Sequence, residues 1–219
     1  MVALVAALSS AAFWRVCTGF SPYDDMGYVM LTEKTFFAGH PLYDQTYTQY
    51  GPAYYAYKRL LLAITGQPLS HDSTLLFAAA SWVLISLLCA GYVWRATRNL
   101  SLAAGTLLGV FAILDVLKNE PGHPEGFCVL LMTAALCCAS FLRRGRRTWT
   151  VLGVLGLLIG LMGMTKANVG VFACLAFLLW LLRLAPAGKL RSLLFTTASA
   201  AALFLPIVLM RRHLAAAGA

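Results

Sequence analysis

The stretch TLLFAAASWVLISLLCAGYVW, residues Thr74 to Trp94, runs for 21 residues without a charged side chain. Its length and composition match the ~20 apolar residues that a helix needs to cross a bilayer. The whole chain shares this character: 60% of its residues are hydrophobic and 11% are charged, against about 25% charged in soluble domains. The sequence therefore predicts an all-α, polytopic transmembrane helical bundle.

Six further apolar segments extend this prediction along the chain. Together they give about seven spans in a single transmembrane domain over residues 1–219, at 2–14, 74–94, 100–117, 125–142, 149–165, 167–182 and 193–210. The segment between the first two spans, 15–73, is too long to be structureless. We expect this first outer loop to contain helices of its own.

Basic residues between the spans predict which loops face the cytoplasm. Nine of them occupy the loops that we place inside: Arg95, Arg98, the four arginines of RRGRR (143–147), Arg183, Lys189 and Arg191. The two short outer loops contribute only Lys118 and Lys166, whereas Arg211 and Arg212 run against the rule. The net charge of +9 therefore reflects membrane topology, and no nucleic-acid partner is predicted.

All eight acidic residues lie in predicted outer loops or at the outer ends of spans. They are Asp24, Asp25, Glu33, Asp44, Asp72, Asp115, Glu120 and Glu125. The positive-inside rule says little about acids, so two explanations stay open. Either the short inner loops leave no room for acids, or carboxylate chemistry takes place at the outer face.

Two helices are predicted in the first outer loop. The first starts at SPYDD (21–25), whose acids suit the positive end of a helix, and it stops at Gly39. The second starts at Pro52 and runs to about Thr65, with a composition that suits a helix lying along the membrane surface. The tyrosines of this loop, among them Tyr50 and Tyr54, are either an interfacial aromatic belt or contacts for a sugar or acceptor.

The next two outer loops supply further candidate site residues. Glu120, His123 and Glu125 crowd into LDVLKNEPGHPEGF (114–127), but their spacing matches no strong metal motif. We predict no metal and no cofactor, and a divalent cation is the alternative left open. Glu125 begins a span, where a carboxylate is costly unless it is paired or used. Lys166, in GMTKANVG (163–170), either snorkels to the interface or binds a lipid phosphate.

Four stretches together resemble the GT-C membrane glycosyltransferases, in particular the protein-mannosyltransferase and lipid A aminoarabinose-transferase branch. They are YDDMGYVML with GHPLY, YGPAYYAYKRLL, HPEGFCVLLM and TKANVGVFACLAFLLWLL, in this order over nearly the whole chain. Family members usually have more spans, and often a soluble C-terminal domain, so the resemblance is to their N-terminal portion.

The resemblance implies transfer of a sugar from a polyprenyl-phosphate donor to a hydroxyl of a lipid, glycan or protein acceptor. It places the active site on the outer, periplasmic side of a multi-pass protein of the plasma membrane, of the bacterial inner-membrane type. By position, either Asp24 or Asp25 would be the general base. Glu125 would match the acid that opens the fourth span, which is usually Asp in the family, and Lys166 falls on the family's TK element.

This reaction needs a base and a cation, and the predicted outer loops contain both residue types. An acceptor hydroxyl must lose its proton to a base as it attacks, whereas the phosphate leaving group needs a cation. A single displacement would invert the anomeric carbon. The candidate phosphate-binding residues are Lys58, Arg59, His123 and Lys166. The alternative functions are a transporter, a lipid-carrier flippase, or an inactive relative that only binds lipid carriers.

Overall fold

The computed structural model describes residues 2–18, 25–114, 120–142 and 148–217. Within these ranges the chain forms nine α-helices and no strand. The helices are α1 (Val2–Cys17), α2 (Asp25–Phe37), α3 (Pro52–Thr65), α4 (His71–Thr97), α5 (Leu100–Leu114), α6 (Pro124–Ala139), α7 (Thr148–Gly163), α8 (Ala167–Leu184) and α9 (Lys189–Ala217). The predicted all-α class is confirmed.

The chain divides into two compact units, Met1–Ala167 and Asn168–Ala219. In the first unit, α4 is central and packs against α1, α5 and α6, while α7 packs against α6. Trp82 and Ile85 of α4 form a core with Val16 of α1 and Leu114 of α5. The second unit contains nearly all of α8 and the whole of α9, which has Pro206 in its interior.

Local sequence signals set the ends of the helices in and after the predicted first outer loop. Gly39 follows α2 with φ +100°, and Gly66 ends α3 with φ +66°; a left-handed backbone at these points is available to glycine at little cost. Pro52 occupies the first turn of α3. Ser70 caps α4, because its hydroxyl accepts a hydrogen bond from the Ser73 amide at 3.2 Å. The two predicted loop helices correspond to α2 and α3, and the predicted start of the first, residues 21–24, lies outside the described ranges.

Every predicted span corresponds to a helix, with bounds that differ by a few residues. By length and composition, α4 and α8 are the two helices among the described residues that could cross a membrane. Helices α1, α6 and α7 have 16 residues each and α5 has 15, fewer than the ~20 of a typical span. A bundle that crosses the membrane seven times therefore stays a prediction. The RRGRR stretch, which is predicted to form an inner loop, lies outside the described ranges.

Candidate functional site

The segment that leads into α3 is bonded to the end of α7 through the backbone. The amide of Gly51 donates to the Thr165 carbonyl at 2.8 Å, and the amide of Ala53 donates to the Met164 carbonyl at 3.1 Å. A Cβ atom on Gly51 would lie 1.9 Å from the Met164 oxygen. Only glycine therefore allows this approach, which brings the first and third predicted outer loops together.

The second predicted outer loop meets the first at His123. The hydroxyl of Tyr50 lies 2.6 Å from Nε2 of His123, and the two rings meet edge to face with centroids 5.2 Å apart. On the other side of the ring, Nδ1 accepts a hydrogen bond from the Glu125 amide at 3.4 Å. In a neutral ring, Nε2 then carries the proton and donates it to the Tyr50 oxygen.

Gly122 lies at the contact between this loop and helices α2, α3 and α4. The hydroxyl of Tyr54, on α3, donates to the Gly122 carbonyl at 2.6 Å. A Cβ atom on Gly122 would lie 2.5 Å from Cγ2 of Thr74, on α4, and 3.3 Å from the side chain of Met26, on α2. The first turn of α2 is thereby placed next to the loop that contains His123.

Charged side chains at the start of α6 form a partly exposed cluster around His123. The ammonium of Lys166 donates a short hydrogen bond to Oε1 of Glu125. Oε2 of Glu125 lies 3.9 Å from Nδ1 of His123, and a Glu120 oxygen lies 3.8 Å from Nε2. Glu125 in the first turn of α6 also suits the positive end of the helix. The side chains of Glu125 and Lys166 are 49% and 28% exposed, so both are open to a ligand.

A second charged pair lies deeper, between α2 and α3. Glu33 is 0% exposed and Lys58 is 3% exposed, and Nζ of Lys58 lies 3.9 Å from Oε1 of Glu33. The ammonium also donates to the hydroxyl of Thr74 at 3.2 Å. Burial raises the pKa of Glu33 and the nearby Lys58 cation opposes the rise; burial lowers the pKa of Lys58 and Glu33 opposes the fall.

Lys58 also lines a small cavity of about 30 Å³, which is large enough to hold a water molecule. Its polar lining includes Tyr54, Lys58, Thr74 and His123. The apolar wall includes Phe127, whose ring stacks on that of Tyr57 with centroids 4.0 Å apart. The cavity therefore lies between Lys58 and the loop of His123.

The structure brings most of the predicted site residues together. Tyr50, Tyr54, His123, Glu125 and Lys166 belong to one set of contacts. The two tyrosines are buried and their hydroxyls are engaged within the protein, so their contact with a sugar or acceptor stays a prediction.

The other predicted residues fall differently. Asp24 lies outside the described residues, and Asp25 begins α2 with its side chain outside the described part. Lys58 is held in the buried pair, and Arg59 is exposed next to it on α3. The predicted phosphate-binding role of these two residues stays a prediction.

Sequence reasoning missed Glu33, Thr74 and Gly122 as parts of this region. The signal for Glu33 was its spacing: Met26, Val29 and Glu33 are three, four and seven positions apart and so share one face of α2. An acid on a face that is otherwise apolar calls for a buried partner. Gly122 and Thr74 carry no local signal, because their roles depend on contacts between distant segments.

The described residues contain no group of three His, Cys, Asp or Glu side chains arranged to hold a metal ion. Their cluster around His123 instead combines carboxylates, an imidazole and an ammonium. Such a set can accept a proton from a hydroxyl and can bind an anionic oxygen.

Comparisons of the chain with protein-family models, with curated proteins and with solved structures found no match. The family resemblance therefore rests on the four sequence stretches that carry it.

Proposed function

We propose that this protein is a multi-pass membrane glycosyltransferase that transfers a sugar from a polyprenyl-phosphate donor to an acceptor hydroxyl at the outer membrane face. The observation that carries the proposal is the meeting of three distant segments, all predicted to be outer loops. Tyr50 contacts His123, Glu125 contacts Lys166, and Gly51 contacts Thr165. Segments that share one side of a membrane can assemble a site there.

The outside of the helices supports a location in the membrane. Large apolar side chains are exposed along helix after helix, including Leu76, Leu84, Leu102, Leu108, Ile113, Leu136, Leu157, Val171, Leu178 and Leu203. A protein in water rarely exposes contiguous apolar surface beyond a few hundred Å². Lipid is the solvent that makes such a surface favourable, and this supports the proposal of a polytopic bundle.

Lys166 is the best placed cation for the donor phosphate. Its ammonium is partly exposed and is held by Glu125, so it is ordered before a ligand arrives. A phosphate oxygen that enters the cluster would accept a hydrogen bond from Lys166 and would face His123 on the same side. Cations fixed in advance stabilise the negative charge that develops on the leaving phosphate.

We assign the general base to Asp24 or Asp25. Helix α2 begins at Asp25, and the next residue, Met26, has its side chain at Gly122, one position from His123. The helix start is therefore close to the cluster that would bind the phosphate. A carboxylate there can remove the proton of an acceptor hydroxyl as the oxygen attacks the anomeric carbon, and phosphate leaves as an anion without protonation.

The test uses the purified full chain in liposomes that contain radiolabelled polyprenyl-phosphate mannose or polyprenyl-phosphate aminoarabinose. Hydroxyl-bearing peptides and glycolipids serve as acceptors. We expect label transfer with wild type and a loss of about 100-fold or more in Asp24→Asn/Asp25→Asn, because general bases contribute about 10²- to 10⁴-fold. Lys166→Met should also lower transfer.

Asp44→Asn is the matched control, since Asp44 is an exposed acid of the same loop outside the charged cluster. Transfer should be unchanged in this variant. Full transfer by the double Asp variant would overturn the assignment of the base. Movement of the labelled donor between leaflets without any transfer would overturn the proposal in favour of a flippase.

A further inference from the structure

Glu33 is a carboxylate in a position where burial makes a charge costly. It is 0% exposed, and neither of its carboxylate oxygens has a hydrogen-bond partner among the described residues. Its nearest described cation, Lys58, is 3.9 Å away, beyond hydrogen-bond distance. Lys58 itself is buried and bonds to Thr74.

Stability does not explain this pair. A buried ion pair is often no more stable than two apolar side chains of similar volume, because both charges lose their hydration. Burial of a carboxylate that accepts no hydrogen bond costs still more free energy. Buried charges of this kind are best attested where they select one packing arrangement over others.

The pair lies where such selection is needed. Helix α2 has only 13 residues and packs inward through few side chains. Val29 is buried, the Phe36 ring lies 5.7 Å from that of Tyr55, and Met26 lies at Gly122. Apolar contacts have no preferred direction, so they tolerate rotation of a short helix about its axis and sliding along it.

The pair adds a directional contact at the other end of the same face. Glu33 is seven positions after Met26, two helical turns further along α2. Lys58 connects it to α3, and the hydrogen bond to Thr74 connects α3 to α4. Three helices are thus joined at one point, and a rotated or shifted α2 would leave both buried charges without each other.

We propose that Glu33 and Lys58 are positioning residues that fix the rotation and register of α2 against α3 and α4. Through α2, they set where its first turn lies relative to Gly122 and His123. Neither side chain needs to touch a substrate. The catalytic consequence rests on the proposed function, since Asp25, one of the two candidate bases, begins this helix.

The experiment measures the position of α2 directly. Spin labels are attached at Leu31→Cys on α2 and Leu60→Cys on α3, both exposed positions, in the full chain with its native cysteines replaced. Electron-electron resonance gives the distance distribution between them. We expect one narrow distribution with the native pair and a broad or multiple one in Glu33→Leu/Lys58→Met, without a loss of thermal stability.

Two further variants keep the result decisive. Glu33→Gln/Lys58→Met retains a polar side chain at position 33 and should broaden the distribution as well. Val29→Ala removes an apolar contact from the same face, and should lower the melting temperature while the distribution stays narrow. A narrow distribution in either variant without the ion pair would overturn the proposal, as would a broad one in Val29→Ala.

Transfer kinetics then connect position to activity. With the pair removed, we expect kcat to fall by up to about 100-fold, the cost of a small misplacement of a reacting group. KM for the donor should change little, because Lys166 and His123 are untouched. A rise in KM for the donor as large as the fall in kcat would contradict a positioning role.

Absence of transfer in wild type would reject the proposed function, while the spin-label distances would still decide the role of the pair.

Discussion

At the scale of single residues, Gly122 shows how tightly the region around His123 is packed. The position of its missing Cβ is 2.5 Å from Cγ2 of Thr74. Thr74 is fixed in turn, because its hydroxyl accepts a hydrogen bond from the buried ammonium of Lys58. A methyl group at position 122 would therefore press on a side chain that cannot rotate away without breaking a buried hydrogen bond.

Gly122→Ala should destabilise the protein by about 1 to 3 kcal/mol, the usual cost of overpacking. Adding Thr74→Ser should restore most of the loss, because serine lacks the methyl group that clashes and keeps the hydroxyl that Lys58 needs. Melting temperatures in detergent measure both effects. Thr74→Ser alone is the control, and a double variant no more stable than Gly122→Ala would contradict this account.

Removing Lys58 should make stability depend on pH. In Lys58→Met, Glu33 loses the cation that opposes the rise of its pKa, so its pKa in the folded protein rises further. A carboxyl with a raised pKa contributes stability while it is protonated, and that contribution is lost as pH rises through the folded pKa. We therefore expect the melting temperature of Lys58→Met to fall, relative to wild type, between mildly acidic and neutral pH.

Glu33→Gln/Lys58→Met is the control for this experiment, because it cannot titrate at position 33. Its melting temperature should lack the fall that Lys58→Met shows across the same pH range. A fall of equal size in the control would assign the effect to another group.

At the scale of elements, α3 is positioned by its N-terminal backbone. The amides of Gly51 and Ala53 bond to carbonyls at the end of α7, and Tyr54 and Lys58 follow within two turns. These two backbone hydrogen bonds therefore place both the contact with Gly122 and the buried pair.

Gly51→Ala should break this connection. Its Cβ would lie 1.9 Å from a carbonyl oxygen, so α3 and the end of α7 must separate. We expect a loss of about 2 to 4 kcal/mol from two backbone hydrogen bonds and the accompanying strain. Gly105→Ala in α5 is the matched control, since nothing lies within 4 Å of its Cβ position; it should be neutral or stabilising by up to about 1 kcal/mol. Similar losses in both variants, by thermal unfolding, would argue against the proposed connection.

The helices were largely predictable from sequence, but the contacts between distant helices and loops were not. Gly39 and Pro52 mark helix ends through backbone preferences that act within a few residues. The contact of Tyr54 with Gly122 joins positions 68 apart, and no local signal encodes it. Charge was a partial guide, because it grouped Glu125 and Lys166 on one predicted side. It gave no indication that Glu33 and Lys58 form a buried pair.

At the scale of the whole molecule, the predicted topology has a direct test. Tyr47, in the predicted first outer loop, is 81% exposed, and Asn99, between α4 and α5, is also exposed. With native cysteines replaced, Tyr47→Cys in intact cells should react with a membrane-impermeant maleimide. Asn99→Cys should react only after permeabilisation. Labelling of both positions in intact cells would contradict the topology and remove the basis for an outer-face site.

The contact between Tyr50 and His123 spans 73 positions, and the partners of Gly51 and Ala53 come later still in the chain. During translation, α3 therefore leaves the ribosome well before some of the residues that hold it in place have been made. The contacts of α3 with Glu33, Thr74 and Gly122 can form earlier, but the two backbone hydrogen bonds at its start can form only once α7 has been synthesised. A ribosome stalled before Met164 would therefore carry a chain in which α3 lacks both backbone hydrogen bonds at its start.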